Sequence, residues 1–187
     1  MYFLKSISNE VKSGQLFFKK LSKTRQLVLG ALFTSLAALF QSAGGFLPGI
    51  GIFISPLSTA PILFCFILSL PLGIITYILT NLTLLIIQPS ELIIFPFTTG
   101  ILGIGIGVAF YFFKQRLYII ISGAILLTIG IITLLYVFKF PVLGPMISKN
   151  FSLSTTCFLF LFAFLYSWIW VELSLAYFKR LKIFISL

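Results

Sequence analysis

The sequence has no histidine and no aspartate, and its acidic side chains are three glutamates, Glu10, Glu91 and Glu172. Intramembrane aspartyl proteases need paired aspartates, zinc hydrolases need histidine ligands, and lipid phosphatases use histidine as nucleophile or base. None of these sites can be assembled here, so no enzyme, metal site or cofactor is expected. A phosphate loop of the G-x-x-x-x-G-K-[ST] type is also missing, so the chain has no ATP site of that kind. Cysteine is limited to Cys65 and Cys157. Both lie in apolar runs, where a thiol is read as a small buried hydrophobe in preference to half of a disulfide.

What remains is strongly apolar: 60% hydrophobic and 9% charged residues, with a mean hydropathy of +1.19. At about 20 residues per crossing, 187 residues hold about six spans with short loops and no soluble domain of useful size. Eleven of the thirteen basic residues fall in three clusters between the apolar runs. The clusters are Lys5, Lys12, Lys19, Lys20, Lys23 and Arg25; Lys114 and Arg116; and Lys179, Arg180 and Lys182. Lysine and arginine are retained on the inner side of a membrane, so both chain ends are expected to be cytoplasmic. The net charge of +10 then lines the membrane boundary, where anionic lipid is its partner, and no nucleic-acid partner is expected.

The fold expected is an all-α polytopic bundle with spans over 27–44, 56–70, 71–88, 92–113, 117–137 and 153–178. Residues 1–26 precede it as a basic amphipathic segment. Leu4, Ile7, Val11, Gly14, Phe18 and Leu21 share one helical face while Lys5, Lys12 and Lys19 share another, as in a helix lying on the inner membrane surface. A disordered basic tail is the alternative. Gln41-Ser42-Ala43 resembles a signal-peptidase site, but the charged segment before it is long for a signal peptide, and an uncleaved first span is preferred. Residues 45–55, punctuated by glycine and proline, read as an ordered outer loop or re-entrant segment. Residues 50–88 carry no charge, so two spans and a re-entrant hairpin are both open, with two spans preferred. Residues 138–152 form the longest outer loop, and its sequon at Asn150 is read as chance. The bias toward Ile, Phe, Leu and Lys points to a low-GC bacterium and hence to its cytoplasmic membrane.

Polar groups are costly in a bilayer and so point to function. Gln41 and Ser42 near the outer end of span one, Asn81 and Gln88 in span three, and Thr98 and Thr99 in span four are the candidate binding residues. Glu91 supplies one negative charge at the mouth of the outward pocket they would form. The competing reading is that the hydroxyls bond to their own helices, while Asn81 and Gln41 are harder to satisfy locally. Glu172 is expected to form an ion pair at the inner boundary, with Arg180, Lys114 or Arg116 as partner. Trp168 and Trp170 fit an interfacial aromatic belt.

Small residues recur along span one at Gly30, Thr34 and Ala38, with Ala31 and Ser35 beside them. That spacing lets another helix approach closely, and beside a basic cytoplasmic segment it suits a docking face for a partner membrane protein. The glycines of span four are read as internal packing. The stretch from Gly30 to Ala38 contains Ala31-x3-Ser35 and Thr34-x3-Ala38, an imperfect form of the Ala-x-x-x-Ala pattern by which substrate-binding S components of energy-coupling factor transporters contact their coupling subunit. The chain resembles that family in length, in six spans with both ends inside, and in a loop at 45–55 placed like the family's lid. The resemblance implies binding of a small, vitamin-like nutrient on the outer side and transport driven by separate coupling and ATPase subunits. No motif names the ligand, and the missing histidine argues against the cobalt and nickel branch. Two rival expectations stand beside it: a non-transporting membrane scaffold, and a secondary carrier. A carrier normally shows internal repeats and a buried ionisable group near the midplane, and neither is legible here.

Overall fold

The computed structural model describes residues 8–140 and 153–185. Leu4, Lys5 and Ile7 of the amphipathic segment, and Lys149 and Asn150 of the outer loop, lie outside the described residues, as does the side chain of Lys182.

Every described element is helical. Helix α1 is Ser8–Lys20, and α2, Lys23–Phe46, is the first long apolar helix. Three pieces follow in line: α3 (Gly51–Ile54), a 3-10 turn (Ser55–Ser58) and α4 (Thr59–Leu68). Helix α5 is Leu70–Ile87. A second broken line comprises α6 (Pro89–Ile94), a 3-10 turn (Phe95–Phe97) and α7 (Thr99–Phe112). Helix α8, Arg116–Ile132, ends in a π turn, Thr133–Val137, and α9 is Leu153–Ile185. Six of these lines are long and apolar enough to cross a membrane: Lys23–Phe46, Gly51–Leu68, Leu70–Ile87, Pro89–Phe112, Arg116–Val137 and Leu153–Arg180. The chain is an all-α polytopic bundle.

Gly51–Leu68 and Leu70–Ile87 are each 18 residues, about 27 Å at 1.5 Å per residue if fully α-helical. Each is thus long enough for a full span, and the two meet at Ser69 alone, whose extended backbone (φ −160°, ψ 124°) turns the chain back. Pro71 sits in the first turn of α5, where its missing N–H leaves no helical bond unmade. The outer segment expected over 45–55 is correspondingly shorter. Gly44, Gly45 and Phe46 still belong to α2, and helix resumes at Gly51, leaving 47–50 between them. Span one runs past the expected end at Gly44-Gly45, because close neighbours fill the space these glycines leave. Gly51 packs directly on the carbonyl of Ala43, a contact no side chain would permit.

Packing follows a serial order. Helix α4 lies against α7, α7 against α8 and α8 against α9, while α5 joins α4 to α2 on the other side. The main core includes Leu63, Ile67, Leu102, Ile106, Ile120, Leu127 and Val171. Lipid tails are as apolar as these side chains, so the association rests on close packing, and glycine supplies it. Gly103 faces Ile62 and Leu63, and Gly107 faces Phe66, so the small residues of span four are internal packing, as the sequence indicates.

Helix α1 presents Val11, Gly14 and Phe18 as its buried face. That face is turned into the bundle, where Phe18 packs with Cys65 and Leu72, and α1 lies against α9 and α4. The Gln15 amide donates to the Ile67 carbonyl (2.8 Å), and the Gln26 amide donates to the carbonyls of Phe18 and Leu21 (both 3.1 Å). The apolar stripe therefore serves the protein's own core, and Leu16 and Phe17 are the large apolar side chains that α1 leaves exposed. At the same end, Arg116 of the second basic cluster pairs with Glu172 of α9 at 3.0 Å, tying the fifth apolar line to the sixth. The aromatic-belt reading fails for Trp170, which is buried in the core beside Tyr166. Cys65 is buried and free, but Cys157 is exposed on the outside of the bundle, not buried as expected.

Candidate functional site

Opposite the basic end, the two broken lines meet around one amide. Pro56 and Pro96 cannot donate a backbone hydrogen bond, and each sits in the 3-10 turn that interrupts its helix. Backbone at each turn also meets a distant helix. The Pro56 carbonyl accepts from the Tyr166 hydroxyl at 3.3 Å, and the Phe97 carbonyl lies so close to Gly130 of α8 that a Cβ there would overlap it. The breaks carry Ser55 and Ser58 on one line and fall between Glu91 and Thr99 on the other.

Gln41, near the outer end of α2, is fully buried and lies between them. Its Nε2 donates to Glu91 Oε2 at 2.7 Å and, more weakly, to Ser55 Oγ at 3.4 Å. Its Oε1 accepts from the hydroxyls of Ser58 and Thr99, both at 2.7 Å. A carboxamide has two hydrogens to give and two lone pairs to receive, and all four are used here. Ser58, Glu91 and Thr99 are themselves buried. Gly44, one turn beyond Gln41, leaves the room this requires: a Cβ at that position would stand 3.0 Å from Glu91 Oε1 and 3.3 Å from the Ser55 Cβ. The cluster therefore offers one carboxyl, one carboxamide and three hydroxyls, and among the described residues the ion pair of Arg116 and Glu172 leaves Glu91 with no cationic partner.

Of the residues expected to converge, Gln41, Glu91 and Thr99 do. The others stay local. Ser42 donates to the Leu39 carbonyl (3.0 Å), Thr98 to Ile94 (2.8 Å), and Asn81 to Tyr77 one turn back (2.8 Å). Gln88 bonds to Ser90 at 3.1 Å and covers Gly45 at the outer rim. Asn81 is the instructive miss, because an amide reaches an i−4 carbonyl as readily as a hydroxyl does. Ser55 and Ser58 are the omissions. Their signal is the Ser-Pro-Leu-Ser run in an otherwise apolar stretch, which is split between loop and span when the helix is taken to start at Pro56.

The small residues of span one divide between two faces. Gly30 packs on Leu72 and Thr76 of α5, the Thr34 hydroxyl returns to the Gly30 carbonyl at 2.9 Å, and Ala38 is buried with Ile62, Phe66 and Phe95. These three form an internal seam, not a docking face. Ala31 and Ser35 are exposed, beside exposed Val28, Leu32 and Leu39.

Comparison with protein-family models, curated proteins and solved structures finds no match. The functional reading therefore rests on the residues themselves.

Proposed function

We propose that this chain is a membrane substrate-binding component for uptake of a small, vitamin-like nutrient in a bacterial cytoplasmic membrane, working with separate coupling and ATPase subunits. The observation that supports it best is the pair of proline-broken helices meeting around Gln41 and Glu91. Irregular backbone is tolerated at membrane depth where it is buried in protein or lines a cavity, and transporters concentrate binding groups at such breaks. A carboxyl, a carboxamide and three hydroxyls complement a ligand rich in hydrogen-bond donors or carrying positive charge. On this reading the ligand enters from the side of residues 47–50 and replaces partners of Gln41. The exposed Ala31 and Ser35 face of α2 then meets the coupling subunit.

A non-transporting scaffold is the second reading, and one observation favours it: every hydrogen-bonding position of Gln41 is already filled from within the chain. That is what a structural tie requires.

A mild-detergent pulldown from the native membrane, with partners identified by mass spectrometry, separates the two. Transport predicts recovery of a coupling subunit with its ATPases, lost in Ala31→Trp and Ser35→Trp, variants whose side chains point away from the bundle. Failure to recover any ATPase partner, under conditions that retain the partners of a known S component, sinks the transport reading.

A further inference from the structure

A second polar feature lies at the opposite, basic end and plays no part in the outward cluster. A cleft of about 280 Å³ opens between α1 and the connection from α7 to α8. Two lysines line it, Lys12 from α1 and Lys114 from the connection. Gln15 and Tyr111 line it as well, and both donate to the same Ile67 carbonyl, at 2.8 Å and 3.1 Å. That shared acceptor fixes the two side chains beside each other. The Gln15 amide also bonds the Tyr111 side chain. The remaining walls are apolar: Val11, Phe110 and Phe113.

The charge balance favours an anion. The charged side chains that line the cleft are both lysines, and Glu172 is committed to Arg116 at 3.0 Å. Depth favours a particular one. The basic clusters mark the inner boundary of the bilayer, the level at which lipid phosphates lie. The cleft volume lies just under the roughly 300 Å³ at which pockets for whole small molecules begin, a size suited to a phosphate with its glycerol attachment. Lysine binds phosphate as a point charge, and the apolar walls suit the start of an acyl chain.

We propose that this cleft binds a phosphate-bearing anion, either the phosphodiester of an anionic glycerolipid of the inner leaflet or free phosphate. The proposal is independent of what the outward cluster binds. At the lipid surface each lysine contributes roughly fivefold to anionic-lipid affinity, so two contribute roughly thirtyfold.

The test places the intact protein in neutral-lipid nanodiscs doped with phosphatidylglycerol and counts retained anionic lipid by native mass spectrometry. The variants are Lys12→Gln with Lys114→Gln, and, as a control removing two charges from the same end, Lys179→Gln with Arg180→Gln. Retention should fall roughly thirtyfold in the cleft variant and clearly less in the control, whose charges lie outside the cleft lining. Lys12→Arg with Lys114→Arg keeps the charge and should keep the lipid, which guards against a cleft variant that misfolds. Millimolar inorganic phosphate, added alone, identifies the source: displacement of the lipid assigns the cleft to soluble phosphate, and no displacement assigns it to lipid. Equal losses in the cleft and control variants, or undiminished retention without Lys12 and Lys114, would overturn the proposal.

Discussion

Replacing Gln41 by leucine should cost more stability than any other single polar-to-apolar change in the outer half of the bundle. Three hydrogen bonds of 2.7 Å converge on this amide, from Ser58 and Thr99 and to Glu91. In membrane bundles a side-chain hydrogen bond is worth about 0.6 kcal/mol on average and about 1.7 at most, so three give about 2–5 kcal/mol. The Glu91 bond belongs near the top of that range, since a carboxylate acceptor makes the stronger bond. Glu91→Gln keeps an acceptor at the same place and should cost only about 1 kcal/mol. The decisive quantity is the coupling. With Gln41→Leu and Glu91→Leu combined, neither group is left buried without its partner, so the double variant should be less destabilised than the sum of the singles by about 1–2 kcal/mol. Reversible unfolding in mixed micelles, followed by tryptophan fluorescence, reads all four states of the cycle. Additivity to within about 0.5 kcal/mol, or a Gln41→Leu variant as stable as wild type, would refute the account of Gln41 as the hub.

Asn81→Leu tests the opposite expectation: its amide bonds to Tyr77, one turn back in its own helix, so stability should change by under about 0.5 kcal/mol and ligand binding should survive, as a thermal-shift comparison would show. Gly130→Ala places a methyl against the Phe97 carbonyl. Overpacking of this kind costs about 1–3 kcal/mol, visible as a lowered unfolding midpoint, and a neutral outcome would mean the break in span four yields easily. The pair of Arg116 and Glu172 is only partly shielded, with side chains 14% and 29% exposed. A charge-removal cycle on it should therefore return a coupling of about 1 kcal/mol or less, reduced further by added salt.

The six spans were legible because two coarse signals agree. Apolar runs set their number, and lysine and arginine at Lys114, Arg116, Lys179 and Arg180 set their polarity. The breaks in spans two and four were harder to see. Pro56 and Pro96 mark where a helix cannot be regular, but a proline does not say whether the chain leaves the helix or tightens by a turn and goes on. Here it goes on, because Tyr166 bonds the Pro56 carbonyl and Gly130 admits the backbone at Phe97. Both partners are distant in sequence. The same limit explains the binding cluster. Gln41, Glu91 and Thr99 are visible as costly polar groups, whereas Ser55 falls in the expected loop, Ser58 passes as one hydroxyl in an apolar span, and the need of Asn81 is met by its own helix.

The hub has one further property, which follows from the chemistry of its members. Ser55, Ser58 and Thr99 are hydroxyls, and a hydroxyl donates or accepts with equal ease. A carboxamide turned half a circle exchanges its oxygen for its nitrogen with almost no change of shape. If Glu91 takes up a proton, the amide can turn so that its oxygen receives from Glu91 and Ser55 while its nitrogen gives to Ser58 and Thr99. Every bond then reverses direction and none is lost. Such a wiring is indifferent to acidity in its heavy-atom positions, so the outer end of the bundle can keep one shape on either side of the protonation of its buried acid.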